Sequence, residues 1–124
     1  MSSTLPYDLP VLLDAFLDPA HHSFYLSQAY KAVGESNEIP LTYYQVNTGS
    51  TMTLAQLMQE FGCTRLVYSS SATVYGIPPI VPIPETTRFD AKSPYGRSKV
   101  MAETILNDYC RGPCPCGTLP EHAP

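Results

Sequence analysis

The sequence predicts an α/β protein that contains part of a doubly wound parallel sheet, and three neighbouring segments support this prediction. Residues 41–61 place apolar side chains along one helical face, Arg65 to Ser70 have the composition of a short buried strand, and a second amphipathic pattern follows Ser93. Strands that alternate with helices pair in parallel and carry helices on both faces of the sheet. We therefore expect a helix, a strand and a second helix.

The first 30 residues carry weaker patterns. Pro10 suits the first turn of a short helix over the apolar cluster of residues 11–17. Residues 22–30 are compatible with a strand. We interpret residues 1–30 as an atypical amino-terminal segment.

The helix predicted over residues 41–61 has one apolar face and a glycine stop. The face follows the helical spacing i, i+4, i+7, i+8, i+11 and consists of Ser50, Leu54, Leu57, Met58 and Phe61. Gly62 then provides a left-handed residue that ends the helix.

The predicted strand ends in a serine cluster. Leu66, Val67 and Tyr68 are consecutive, which is typical of a strand covered on both faces by helices. Ser69, Ser70 and Ser71 follow at the carboxyl end, where doubly wound sheets bind ligands. A serine run also forms turns through local hydrogen bonds, so on chemistry alone both interpretations stay open.

A long loop separates this strand from the second helix. Residues 76–92 are rich in proline and have no periodicity, and loops of this length are usually functional or disordered. Ser93 is a good N-cap and Pro94 fits the first helical turn, so the helix begins beside Tyr95. Its apolar stripe consists of Ser98, Ala102, Ile105, Leu106 and Tyr109. Residues 112–124 have few apolar side chains and are predicted to be a disordered tail.

Tyr95 and Lys99 are four residues apart and therefore share one face of this helix. An ammonium beside a phenol favours the phenolate, so the pair could act as a general base. Ser71 completes the set if the strand end lies opposite the helix start, because its hydroxyl could bind the same substrate oxygen. For the spacing alone, the alternative interpretation is a solvated helix face.

The stretch Leu66–Lys99 closely resembles the extended short-chain dehydrogenase/reductase family. The motifs are LVYSSSATVYG and SPYGRSK, preceded in the same order by KAVGES from Lys31 and by a PLxYYxVN segment that ends at Asn47. The resemblance runs from about Lys31 to Asp108. It is closest to members that epimerise UDP-sugars at C4 with NAD, and it implies a Rossmann-like fold with residues 31–111 as a partial NAD-dependent epimerase/dehydratase domain.

The resemblance also implies roles for particular residues. The implied catalytic residues are Ser71, Tyr95 and Lys99. The implied NAD-binding residues are Lys31, Asn47, Ser69, Tyr95 and Lys99, and the implied UDP-sugar-binding residues are Ser71, Ala72, Thr73 and Tyr95.

The glycines of the chain do not form a dinucleotide-binding turn. That fingerprint needs several glycines in one tight turn between a strand and a helix, where backbone amides meet the pyrophosphate. No two of the seven glycines lie in one such turn: Gly34, Gly49, Gly62, Gly76, Gly96, Gly112 and Gly117. We therefore expect a fragment that lacks the Gly-rich first βαβ unit and the C-terminal substrate lobe of the family.

Composition excludes several other classes. The chain has 124 residues and a formal charge of -4, without the clustered Lys and Arg of a nucleic-acid-binding protein. No apolar run approaches the roughly 18 residues of a membrane span, and the N-terminus does not resemble a signal peptide. The expectation is a cytoplasmic protein with reduced thiols.

The cysteines do not have the spacing of a structural zinc site: Cys63, Cys110, Cys114 and Cys116. His21 and His22 are adjacent in sequence. We therefore expect no metal site.

Two hypotheses follow for function. The first is C4 epimerisation of a UDP-sugar, with a related nucleotide-sugar dehydratase or epimerase as a variant of it. The second is a truncated, inactive product that acts at most as a dimerising interaction module. Its homodimer would form through the helices near residues 47–61 and 94–109.

Overall fold

The computed structural model describes residues 23–26 and 30–112. The elements in chain order are strand β1 (Ser23–Leu26), helix α1 (Val33–Glu38), helix α2 (Pro40–Phe61), strand β2 (Arg65–Tyr68), a 3₁₀ helix (Ala72–Tyr75) and helix α3 (Pro94–Arg111). Four predictions fall outside the described residues or side chains: the helix over 11–17, His21 with His22, the Phe61 side chain, and the tail with Cys114 and Cys116.

Helix α2 confirms the long helix predicted from residue 41. Pro40 occupies its first turn, where the missing backbone N–H costs no helical hydrogen bond. Gly62 ends it with φ +66°, the left-handed conformation predicted from the sequence. Leu54 and Met58 are buried on its inner face, and Leu57 is half-buried.

Helix α3 confirms the second predicted helix and packs along α2. The Ser93 hydroxyl accepts a hydrogen bond from the Gly96 N–H at 3.1 Å, so Ser93 is the N-cap as predicted. Three positions of the predicted stripe are buried, Ser98, Ala102 and Leu106, while Ile105 and Tyr109 are half-buried. The helix is therefore held against α2 by the face that the sequence indicates.

The two strands pair in parallel, with Ser23 opposite Arg65 and Leu26 opposite Tyr68. The strand expected within residues 22–30 is thus present over four of them. A parallel pair agrees with the predicted α/β class. Helices on both faces of the sheet, however, are not found in the described part of the chain.

Strand β2 is exposed on one face, which corrects the expectation that it is covered on both. Its side chains alternate between exposed and half-buried, and Val67 is 58 % exposed. Leu66 and Tyr68 point to the other face and pack against Leu54, Met58 and Cys63. The strand is also shorter than expected, since it ends at Tyr68 and not at Ser70.

Two short elements do not appear among the sequence predictions. Helix α1 has six residues, and its Ser36 is fully buried. The 3₁₀ helix Ala72–Tyr75 follows the serine cluster directly and buries Val74.

Among the described residues, none of the helices combines the length and the hydropathy that a membrane span requires.

Candidate active site

Ser71 lies where the strand end turns into the 3₁₀ helix. Its backbone is extended, and its hydroxyl accepts a hydrogen bond from the Thr73 N–H at 3.3 Å. The Ser71 and Thr73 hydroxyls are 2.9 Å apart and share a further hydrogen bond. Ala72, between them, is exposed. Ser71 is therefore an N-cap whose hydroxyl is fixed beside that of Thr73.

The 3₁₀ helix lies directly against the first turn of α3. A Cβ atom placed on Gly96 would stand only 2.9 Å from the Thr73 carbonyl oxygen and 3.2 Å from the Ala91 Cβ. Only a residue without a side chain permits this approach. Since Gly96 directly follows Tyr95, the fold brings the strand end and the start of α3 together.

Tyr95 is nearly buried, with 8 % of its surface exposed. Its ring meets the Tyr43 ring edge-on, with a centroid distance of 6.4 Å and an interplanar angle of 79°. Within the described part of the chain, its hydroxyl forms no hydrogen bond. The contact with Tyr43 therefore positions the ring of Tyr95.

Lys99 is buried to 3 % exposure and points toward the strand end. Its Nζ donates to the Ser69 carbonyl oxygen at 3.0 Å and lies 4.9 Å from the centroid of the Tyr68 ring. Burial lowers the pKa of Lys99, and the Glu103 carboxylate opposes that effect. The partial burial of Tyr68, with smaller contributions from Glu103 and Tyr95, raises the pKa of Tyr68.

Asn47 connects three segments from a position that is 2 % exposed. Its Oδ1 accepts from the Tyr30 N–H at 2.9 Å, and its Nδ2 donates to the Tyr30 carbonyl at 3.1 Å and to the Ser98 hydroxyl at 2.9 Å. Its side-chain N–H groups are thus used within the protein. Lys31, the residue after Tyr30, is exposed. The cofactor contacts expected of Asn47 and Lys31 stay predictions.

The structure thus joins Ser69 with Lys99, and Ser71 with Thr73, and it places the second pair against the turn of α3 that carries Tyr95. The roles assigned to these residues from the sequence stay predictions. No group of three His, Cys, Asp or Glu side chains in the described part of the chain could hold a metal ion.

Two residues near the site have no role assigned to them in the sequence analysis. The Tyr43 hydroxyl accepts from the Ala32 N–H at 3.2 Å and donates to the Glu35 carboxylate at 2.6 Å. Glu103, four residues after Lys99, accepts a hydrogen bond from the Ser70 hydroxyl. The signal for Glu103 was its i, i+4 spacing from Lys99. Tyr43 lies in the PLxYYxVN segment, but its partners at the start of α1 could not be read from local spacing.

Comparison with known proteins shows the family. A sequence model described as GDP-mannose 4,6 dehydratase matches residues 25–113. The chain belongs to this family. It is one of the extended short-chain dehydrogenase/reductase families, as the motifs from Lys31 onward indicate.

Individual relatives in this family are epimerases and dehydratases. UDP-glucose 4-epimerase of Dictyostelium discoideum is 54 % identical over 80 residues, which are 64 % of this chain and 23 % of the relative. A crystal structure of UDP-glucose 4-epimerase from Stenotrophomonas maltophila, with bound NAD and formylated UDP-arabinopyranose, has a TM-score of 0.69 and 41 % identity over 74 % of this chain and 27 % of that one.

A dehydratase matches the fold to the same extent, with a lower sequence identity. The NAD-dependent NDP-hexosamine 5,6-dehydratase TunA, from tunicamycin biosynthesis, has a TM-score of 0.69 and 30 % identity over 75 % of this chain and 31 % of that one. The chain therefore spans less than a third of the length of these relatives. These relatives are enzymes of nucleotide sugars by name, and the chain shares part of their fold.

Proposed function

We propose that this chain carries the catalytic part of a UDP-glucose 4-epimerase, which interconverts UDP-glucose and UDP-galactose in galactose metabolism. The observation that carries the proposal is the meeting of the strand end with the first turn of α3, where Thr73 contacts Gly96 and Lys99 reaches Ser69. The epimerase relatives, at 41 % to 54 % identity in the two comparisons above, favour this substrate class.

The proposed roles follow from what each side chain can do. Tyr95, with a hydroxyl unengaged in the described structure, takes the proton from the sugar 4-hydroxyl and later returns it. Lys99 stabilises the phenolate by its positive charge. Ser71, fixed by its capping hydrogen bond, donates to the same sugar oxygen, and Ala72 and Thr73 line the sugar pocket.

The donors present fit a bound NAD. Of the three N–H donors on the Lys99 ammonium, the described structure engages one, with Ser69, so two are available for a ribose hydroxyl pair. Ser69 and the exposed Lys31 are further proposed contacts, with Asn47 supporting the backbone beside Lys31. The chemistry that NAD supplies when bound is the reversible oxidation of C4. We place this function in the cytoplasm.

The second candidate is an inactive dimerising module, favoured by apolar surface on the two long helices. Met52 on α2 and Met101 on α3 are 47 % and 46 % exposed, and Val67 on the sheet is 58 % exposed. Exposed apolar side chains on neighbouring helices are a means of self-association. This candidate predicts a dimer that binds no NAD, whereas the epimerase candidate predicts a chain that binds NAD.

One experiment separates the candidates. The purified chain is passed through gel filtration with NAD, its mass and bound nucleotide are measured, and conversion of UDP-glucose to UDP-galactose is then assayed. Tyr95→Phe keeps the ring contact with Tyr43 and should abolish turnover, while Tyr44→Phe, on the neighbouring position of α2, should not. A chain that retains no NAD and converts no substrate would remove the enzyme proposal, and a monomer would remove the module.

A further inference from the structure

Tyr95, Lys99 and Glu103 occupy successive turns along one face of α3, and this face is turned toward the end of β2. Lys99 and Glu103 each form a hydrogen bond with one of two adjacent residues after the strand end. Lys99 donates to the Ser69 carbonyl, and Glu103 accepts from the Ser70 hydroxyl. The next residue, Ser71, caps the 3₁₀ helix. The backbone that carries Ser71 is thus attached to α3 twice.

We propose that Glu103 is a positioning residue that holds the strand end through Ser70 and supplies the counter-charge for the buried ammonium of Lys99. It touches no reacting atom in the proposed chemistry. The inference rests on the proposed function for its meaning, because Lys99 and Ser71 are the residues that it positions.

The electrostatic half of this inference follows from burial. An ammonium that is 3 % exposed loses most of its hydration, so its charged form needs support from the protein. The Ser69 carbonyl dipole and the quadrupole of the Tyr68 ring support the ammonium without an opposite charge. The Glu103 carboxylate lies one turn further along the same face of α3 and accepts from Ser70, the residue next to the Ser69 that Lys99 contacts. From this position its negative charge favours the protonated amine.

The geometric half concerns the hydrogen bond from Ser70. A hydrogen bond to an ionised carboxylate is stronger than one between neutral groups. This one joins residues 33 positions apart, the end of β2 and the third turn of α3. Loss of either partner should therefore loosen the segment that leads into Ser71, without removing any group from the core.

The charge is tested on the lysines themselves, because the chain has only Lys31, Lys92 and Lys99. The full chain is grown with lysine labelled with ¹³C at Cε, and each signal is titrated by NMR. Lys31→Arg and Lys92→Arg assign the signals. In Glu103→Gln, the titration midpoint of Lys99 should move down relative to the unsubstituted chain, while the other two stay in place.

Glu85→Gln, in the exposed loop, is the matched control for loss of one carboxylate and should leave the Lys99 midpoint where it is. Circular dichroism at each pH verifies that the compared chains are folded. An unchanged titration midpoint of Lys99 in folded Glu103→Gln would overturn the proposal that Glu103 is its counter-charge.

The hydrogen bond is tested by a double-mutant cycle in urea. Ser70→Ala should lower the unfolding midpoint in the unsubstituted chain and lower it less in Glu103→Gln, because the strong acceptor is already gone. Ser69→Ala is the control. The Lys99 contact uses the Ser69 backbone carbonyl, which alanine retains, so the unfolding midpoint should fall by the same amount in both backgrounds.

Equal losses from Ser70→Ala in the two backgrounds would overturn the positioning role. None of these measurements needs NAD or a sugar. A chain that passes them and yet fails to bind NAD would reject the proposed function and leave the role of Glu103 in the fold intact.

Discussion

The side-chain amide of Asn47 on α2 donates to the hydroxyl of Ser98 on α3, 51 residues further along the chain, at 2.9 Å. Ser98 in turn donates to the Tyr95 carbonyl oxygen at 2.7 Å. Asn47 also closes two hydrogen bonds with the Tyr30 backbone. One buried amide therefore connects the segment before α1 with the turn that carries the proposed base.

Removal of this amide should destabilise the fold. Asn47→Ala removes a side chain that is 2 % exposed and leaves the part-buried backbone groups of Tyr30 without their partner. An unsatisfied buried polar group costs about 1 to 3 kcal/mol, so we expect a loss of about 2 kcal/mol in the free energy of unfolding. Urea denaturation followed by circular dichroism measures it.

Gln45→Ala, two residues earlier and exposed on α2, is the control for this substitution. It should change the free energy of unfolding by less than about 0.5 kcal/mol. Equal effects of the two substitutions would mean that the Asn47 hydrogen bonds contribute nothing beyond those of a surface residue.

Two helical glycines should respond in opposite directions to alanine. In Gly96→Ala the new methyl group meets the Thr73 carbonyl at 2.9 Å, so the 3₁₀ helix must move away from α3. In Gly49→Ala, within α2, the methyl group meets nothing within 4 Å. Alanine is favoured over glycine inside a helix by roughly 1 kcal/mol, so Gly49→Ala should stabilise the chain and Gly96→Ala should destabilise it.

The measurement is the unfolding midpoint of each variant in urea, compared with the unsubstituted chain. If Gly96→Ala were as stabilising as Gly49→Ala, the close contact between Thr73 and α3 would be wrong, and with it the meeting of the strand end and the helix start.

Features set by neighbouring residues in the sequence were predicted, whereas features set by tertiary packing were not. Gly62 and the Ser93–Pro94 pair define helix ends through their own backbone preferences, and both ends were predicted. The exposure of Val67 depends on what covers the sheet, which a local apolar run cannot reveal. The expectation of a strand buried on both faces was wrong for that reason.

The candidate site shows the same division. The i, i+4 spacing places Tyr95 and Lys99 on one face without any tertiary information. The contacts that fix that face do depend on tertiary structure. Asn47 on α2 bonds to Ser98 on α3, and the Tyr43 ring contacts the Tyr95 ring. The family motifs indicated which residues to examine, and the packing shows how they are held.

Loss of the N-cap should weaken α3 at the turn that carries Tyr95. Ser93→Ala removes the oxygen that accepts from the Gly96 N–H, and capping substitutions of this kind cost about 1 kcal/mol. Ser93→Asp retains a capping oxygen and should recover most of that loss. The thermal unfolding midpoints of the three chains test this, and a midpoint for alanine equal to that for serine would contradict it.

Tyr43 should make the stability of the chain depend on pH in the alkaline range. Burial, followed by the hydrogen bond to the Glu35 carboxylate, raises the pKa of Tyr43 from 10.0 to about 12. Between these values the unfolded chain has released a proton that the folded chain still holds. The free energy of unfolding therefore falls as pH rises through this window, and the Tyr43 contribution is complete only below pH 10.0.

Tyr43→Phe removes the titrating hydroxyl and should therefore remove this part of the alkaline loss. The quantity to compare is the slope of the unfolding free energy against pH above 10.0, where Tyr43 titrates in the unfolded chain. Tyr44→Phe, on the adjacent half-buried position, is the control for loss of one phenol. Because the half-buried phenol of Tyr68 acts in the same direction, some slope should remain. Identical slopes in Tyr43→Phe and the unsubstituted chain would show that the hydroxyl between Ala32 and Glu35 is not protected in the folded state.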